Sequence, residues 1–132
     1  MNRRSVLALT LCSAAYLALG GVYASKEEYR EAADLYDRAL QRIDEPQRSD
    51  WNLFYQRGIA YERLKEWDKA EPNFRKALEL YPDQPQVLNY LGYSWVDMGM
   101  NLEEGLDLTQ RGGGVEGEPC QAASLAYFGE SG

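Results

Sequence analysis

Residues 51–84 read WNLFYQRGIAYERLKEWDKAEPNFRKALELYPDQ, and the fold follows from how this stretch repeats. Phe54, Ile59, Tyr61 and Leu64, and again Phe74, Ala77, Leu78 and Tyr81, recur at helical rather than alternating spacing. Two antiparallel helices joined by a short turn are expected. Where they cross, Gly58 on one and Ala70 on the other are small enough to let the backbones approach. Pro82 with Asp83 ends the second helix, because the residue before a proline is driven out of the helical region. Pro72 falls inside that helix and predicts a kink or a late start. If Asp68 caps the helix and Glu71 reaches back to it, Pro72 lies just beyond the first turn, where its cost falls.

The same slots recur in both directions from this unit. Upstream, Tyr16, Leu19-Gly20, Tyr23, Ala32, Tyr36 and Ala39 stand in for Phe54, Arg57-Gly58, Tyr61, Ala70, Phe74 and Ala77, each displaced by 38 residues. Downstream, Leu88, Leu91-Gly92 and Trp95 open a third copy, with Gly92 34 residues after Gly58. The longer first interval predicts a looser junction near Glu45 to Asp50, around Pro46, with Asp50 or Ser49 capping the next helix. After Trp95 the pattern slips by one residue, so that Gly105 takes the alanine slot. Thr109 and Gly112 then stand where an aromatic or aliphatic residue and an alanine belong. Three glycines at 112–114 oppose a continuing helix, and the last helix is expected to end near Arg111. Residues 112–132 contain six glycines and no helical period, and read as a disordered tail. That stretch is no phosphate loop, which needs a preceding strand and a Lys-Ser or Lys-Thr pair.

Together these residues resemble the tetratricopeptide repeat family, whose period is 34 residues and whose aromatic, leucine-glycine, tyrosine, alanine, phenylalanine and proline slots are met almost completely between Trp51 and Gln84. The run from Leu88 to Asp97 is similar to one found in longer bacterial members, and the resemblance implies, as an alternative to a self-standing module, a fragment of a larger protein of this family. The resemblance implies an all-α fold, a short right-handed α-solenoid of helix-turn-helix repeats. About five helices are expected in residues 1–111, as repeats near 13–46, 51–84 and 85–111 with the last incomplete.

Composition narrows the chemistry. The 132 residues carry 14 basic and 21 acidic side chains, a net charge of −7, which opposes binding to a phosphate backbone. The chain has no histidine, the commonest general base and metal ligand, so zinc sites and catalytic triads are not expected. Cys12 and Cys120 stand far apart with no paired spacing, and read as unpaired thiols that a thiol reagent would both label. Glu27-Glu28 and Glu103-Glu104 are adjacent acidic pairs, which point in different directions on a helix and read as solvated. No nucleophile and base occur together, and no enzyme, cofactor or metal site is expected. Trp51, Trp67 and Trp95 sit at packing positions of the repeat.

The first segment supports two readings. Arg3-Arg4, an apolar run to Gly21 and the small residues around Ala24 have the form of a secretory signal, which would place the chain in the periplasm or cell envelope. Tyr16, Leu19, Gly20 and Tyr23 nevertheless carry the repeat through the same stretch, and cleavage after Ala24 would orphan the helix that follows. A repeat cannot bury its apolar face alone, so the repeat-helix reading, with a cytoplasmic location, is preferred.

Arrays of this family present a concave face built by the first helix of each repeat. The inward but non-core positions are Asn52, Tyr55, Ile59, Glu62 and Arg63 in the second repeat and Gln86, Asn89, Tyr93, Val96 and Asp97 in the third. Tyrosine and asparagine suit an extended peptide or partner helix, offering area or paired donors and acceptors at low entropic cost. A protein or peptide partner is expected, and nucleic acid is not. The family's carboxylate-clamp set is not met, since its slots hold Leu17, Gly21, Gln86 and Tyr90 and only Asn89 is of a suitable type. An uncapped third repeat is expected to leave Leu91, Trp95 and Leu106 partly open, which predicts self-association.

Overall fold

The computed structural model describes residues 3–113, with side chains from Ser13 onward. The tail beyond Gly113 and both cysteine side chains lie outside the described residues. Six α-helices account for nearly all of the described chain: α1 (Arg3–Ser25), α2 (Tyr29–Gln41), α3 (Trp51–Arg63), α4 (Trp67–Leu80), α5 (Pro85–Asp97) and α6 (Leu102–Arg111). A 3-10 turn at Arg48–Asp50 precedes α3, and no strand occurs among the described residues. The chain divides into two compact units, residues 1–80 and 81–132. In the first, α1 packs on α2, α2 on α3 and α3 on α4; in the second, α5 packs on α6. Six helices replace the expected five because α6, despite its missing alanine and aromatic slots, closes a third hairpin on α5.

Each hairpin turns by one device. The N–H groups of Glu28, Glu66 and Met100 donate to the carbonyls of Tyr23, Tyr61 and Trp95, all at the aromatic slot of the preceding helix. The residue before each donor is left-handed: Glu27 at φ 62°, Lys65 at φ 65° and Gly99 at φ 69°. This is the glycine-type helix stop, satisfying carbonyls that the helix end leaves unpaired. Only the third copy carries glycine there.

The small residues do what the periodicity requires of them. Ala32, Ala70, Gly20, Gly58, Gly92 and Gly105 are all buried. A methyl group at Gly58 would stand 2.8 Å from the Phe74 ring, and one at Gly20 would collide with the Tyr36 ring. Phe74 and Tyr36 are fully buried, as are Ala39 and Ala77 on the same helices. Burial without a hydrogen-bond partner for its hydroxyl pushes the Tyr36 phenol above its ordinary pKa.

Three local expectations are corrected. Helix α4 begins at Trp67, before Asp68, with the Glu66 carbonyl accepting from the N–H groups of Lys69 and Ala70. Asp68 is therefore inside the helix rather than its cap, and α4 runs through Pro72 as one element. Asp50 does not cap α3 through its side chain; its carboxylate accepts from the Gln47 N–H at 2.8 Å and closes the 3-10 turn. Leu91 and Trp95 are not open to solvent, for both are buried, and of the three residues expected to be open only Leu106 is exposed. Helix α6 does end at Arg111, with Gly112 at its cap and Gly113 left-handed at φ 78°. The 23-residue helix α1 docks on α2 through Gly20 and Tyr36. No described helix is long and apolar enough to cross a membrane.

Candidate functional site

Helix α3 carries Asn52, Tyr55, Ile59 and Glu62 at intervals of three, four and three residues, which places them on one stripe. All four are half-buried, neither core nor fully solvated. The opposite side of the helix holds the core residues Leu53, Phe54, Ala60 and Tyr61. Asn52 accepts from the Gln56 amide at 3.4 Å, one turn along the helix. Tyr55 is braced by two rings, Trp51 at 5.8 Å and Phe74 at 6.2 Å between centroids, which holds its phenol end in a fixed direction.

Arg63 differs from its neighbours. Its side chain is 13% exposed, its guanidinium lies 5.3 Å from the centre of the Tyr29 ring, and it stands 3.9 Å from the Glu27 carboxylate. These are groups of the first repeat, so Arg63 belongs to the seam between α2 and α3. The same seam holds two further ion pairs, Arg57 to Asp37 at 2.6 Å and Arg30 to Glu66 at 2.8 Å. Arg57 also donates to the amide oxygen of buried Asn73 at 3.1 Å, and Asn73 returns its N–H to the Lys69 carbonyl at 2.7 Å. Burial works to raise the Glu66 carboxyl, but hydrogen bonds from Lys69 and Arg30 outweigh it and hold the group below the usual glutamate range.

In the second unit the expected residues separate. Gln86, at the start of α5, is exposed and its N–H donates to the Gln84 side chain at 2.7 Å. Tyr93 is half-buried and Asp97 exposed, four residues apart on one stripe. Val96 is turned toward α6, its methyl 3.1 Å from where a Gly105 side chain would begin. Asn89 is a correction: at 3% exposure it is buried, and its amide donates to the Gly112 carbonyl at 3.1 Å. A methyl at Gly112 would stand 2.6 Å from the Asn89 amide oxygen, so this asparagine is used to close the hairpin. Neither the Asn89–Gly112 link nor the Asp37–Arg57–Asn73 network has a local signal in the sequence, because the partners are 16 to 23 residues apart.

The arrangement offers a ledge of aromatic, amide, aliphatic and carboxylate groups on α3, suited to holding another chain. Among the described residues it brings no nucleophile to a base. Comparisons with known proteins bear on the fold. A family model described as tetratricopeptide repeat matches residues 10–83. The human protein O-mannosyl-transferase TMTC1 is 30% identical over 99 residues, which is 75% of this chain and 10% of that protein. The crystal structure of YrrB, a TPR protein with an unusual peptide-binding site, superposes with a TM-score of 0.66 at 27% identity, covering 81% of this chain and 53% of that one. The chain thus spans about a tenth of the curated relative and about half of the solved structure.

Proposed function

The chain belongs to the tetratricopeptide repeat family, a family of protein–protein interaction modules, and from that premise we propose that it holds an extended peptide or a partner helix on the first-helix stripe of α3. The reading assigns the contacts to Asn52, Tyr55, Ile59 and Glu62 on α3; Gln86, Tyr93 and Asp97 on α5 belong to the second unit and are a separate candidate surface, taken by itself. Arg63 is engaged with Tyr29 and Glu27 of the first repeat, and Asn89 is excluded by its burial. The observation that carries the proposal is the half-buried, chemically mixed stripe on α3. Core residues would be apolar and closed, and solvated residues would be open; these four are neither.

Catalysis has no part in this reading, nor has a metal or a cofactor. The glycosyl-transfer activity in the name of the human relative is not carried over, since the match spans a tenth of that protein. The peptide-binding site of YrrB supports the kind of ligand, a peptide, without supplying its sequence.

A random peptide library selected on the immobilised chain tests the proposal. Selected peptides are expected to bind Tyr55→Ala at least tenfold more weakly, in line with truncation of an aromatic anchor. Peptides that bind the wild-type chain and Tyr55→Ala equally, with Ile59→Asp also unaffected, would move the site off this stripe.

A further inference from the structure

We propose that the protein associates head to tail with further copies of itself, the outer face of α6 in one copy seating on the outer face of α1 in the next. The model for this contact is the seam inside the chain where α2 meets α3. On α2, Tyr29 and Asp37 both touch residues of α3, namely Arg63 and Arg57. Ala33 lies midway between them at four-residue steps, so it is on the stripe facing α3, and it is 1% exposed. On α3, Ala60 lies midway between Arg57 and Arg63 and is likewise 1% exposed.

The repeat carries these slots to both ends. Taking Gly105 as the equivalent of Ala32, the slots of Tyr29 and Ala33 fall on Leu102 and Leu106 of α6. Taking Gly20 as the equivalent of Gly58, the slots of Arg57 and Ala60 fall on Leu19 and Val22 of α1. All four are apolar, and all four are exposed: Leu102 and Leu106 at 51% and 56%, Leu19 and Val22 at 45% and 49%. In the internal seam Ala33 and Ala60 are closed and Tyr29 and Arg57 half-buried, whereas their four counterparts are open, and more apolar, on the outer faces of α6 and α1. A face shaped as the second helix of a seam fits a face shaped as the first helix, and this chain presents one of each. None of these residues belongs to the stripes assigned to partner binding.

Such a contact is heterologous, joining different surfaces, so a dimer keeps one free face of each kind and growth continues. Sedimentation velocity of the whole chain is expected to show an average mass that rises with concentration beyond that of a dimer. Val22→Glu and Leu106→Glu are each expected to be monomeric with unchanged helical circular dichroism, each having lost one face. An equimolar mixture of the two is expected to form a one-to-one dimer and nothing larger, because each retains the face the other lacks. Leu102→Glu provides a second block on the α6 face if Leu106→Glu misfolds. A wild-type chain that stays monomeric at every concentration would overturn the proposal and leave the faces to another partner. So would Val22→Glu associating like wild type while Leu106→Glu does not, the signature of two α6 faces meeting.

Discussion

The hairpins of the first unit and the hairpin of the second solve one crossing in two ways. In α1–α2 and α3–α4 a glycine lies under the ring of Tyr36 or Phe74, so a large side chain fills the gap between helices. In α5–α6 the ring is absent. Gly92 and Gly105 face one another, each so close that a methyl on either would stand 2.7 or 3.0 Å from the other's carbonyl oxygen. Thr109 occupies the ring's slot and ties its hydroxyl back to the Gly105 carbonyl at 2.5 Å. The turn explains the change. The first two hairpins pass from the left-handed residue through one more residue into the second helix, whereas the third adds Asn101, itself left-handed at φ 44°. That extra residue is the one-residue slip in the sequence pattern. A hairpin built on a ring depends on side-chain packing, and one built on two glycines depends on backbone contact.

The ring is the place to break the first unit. Phe74→Ala is expected to cost about 3–5 kcal/mol, the range for emptying an aromatic site in a core, whereas Thr109→Ala is expected to cost about 1 kcal/mol, the loss of one hydrogen bond. Urea denaturation followed by circular dichroism measures both, and equal losses would dissolve the distinction between the units.

The glycines sharpen it. Gly92→Ala is expected to destabilise by about 2 kcal/mol, because the methyl meets backbone that cannot move aside, and Gly58→Ala by about 1 kcal/mol, because a ring can tilt. Gly21 on α1 is the control: it is helical with nothing within 4 Å of an added methyl, so Gly21→Ala is expected to stabilise by about 1 kcal/mol, the helix-propensity difference alone. A Gly92→Ala chain rescued by Thr109→Ala, which removes the hydroxyl 2.8 Å from the added methyl, would place the clash on the side chain and not on the backbone.

The turns differ in the opposite sense. Lys65 holds a left-handed conformation that Gly99 adopts without strain, so Lys65→Gly is expected to raise the thermal midpoint, by about 1 kcal/mol in stability. No gain would mean that the lysine side chain contributes as much as its backbone loses.

The smallest effect concerns pH. Glu66 is held below the usual glutamate range by Arg30 and Lys69, so folding favours its ionised form. Its contribution is complete above the unfolded value, about 4.3, and is lost as pH falls through the lower folded value. The stability difference between wild type and Glu66→Gln is therefore expected to shrink on acidification, and a constant difference would show that the ion pairs are idle.

The sequence alone was enough for the helical character, the first two hairpins and their order, because core slots recur at a fixed period and each slot has one steric job; that α6 completes a third hairpin was not legible where its slots fail. That Gly58 and Gly20 sit at close helix crossings was legible for that reason; that the rings of Phe74 and Tyr36 lie over them was not. The slip at Gly105 was legible too, although its cause, a second left-handed residue at Asn101, was not. Periodicity places a residue on a face of its own helix and says nothing of what approaches that face. Asn52, Tyr55, Ile59 and Glu62 could be grouped from spacing, but that Arg63 turns to Tyr29, or that Asn89 closes on Gly112, depends on a partner many residues away. Those choices are made by packing between helices, and only the tertiary structure decided them.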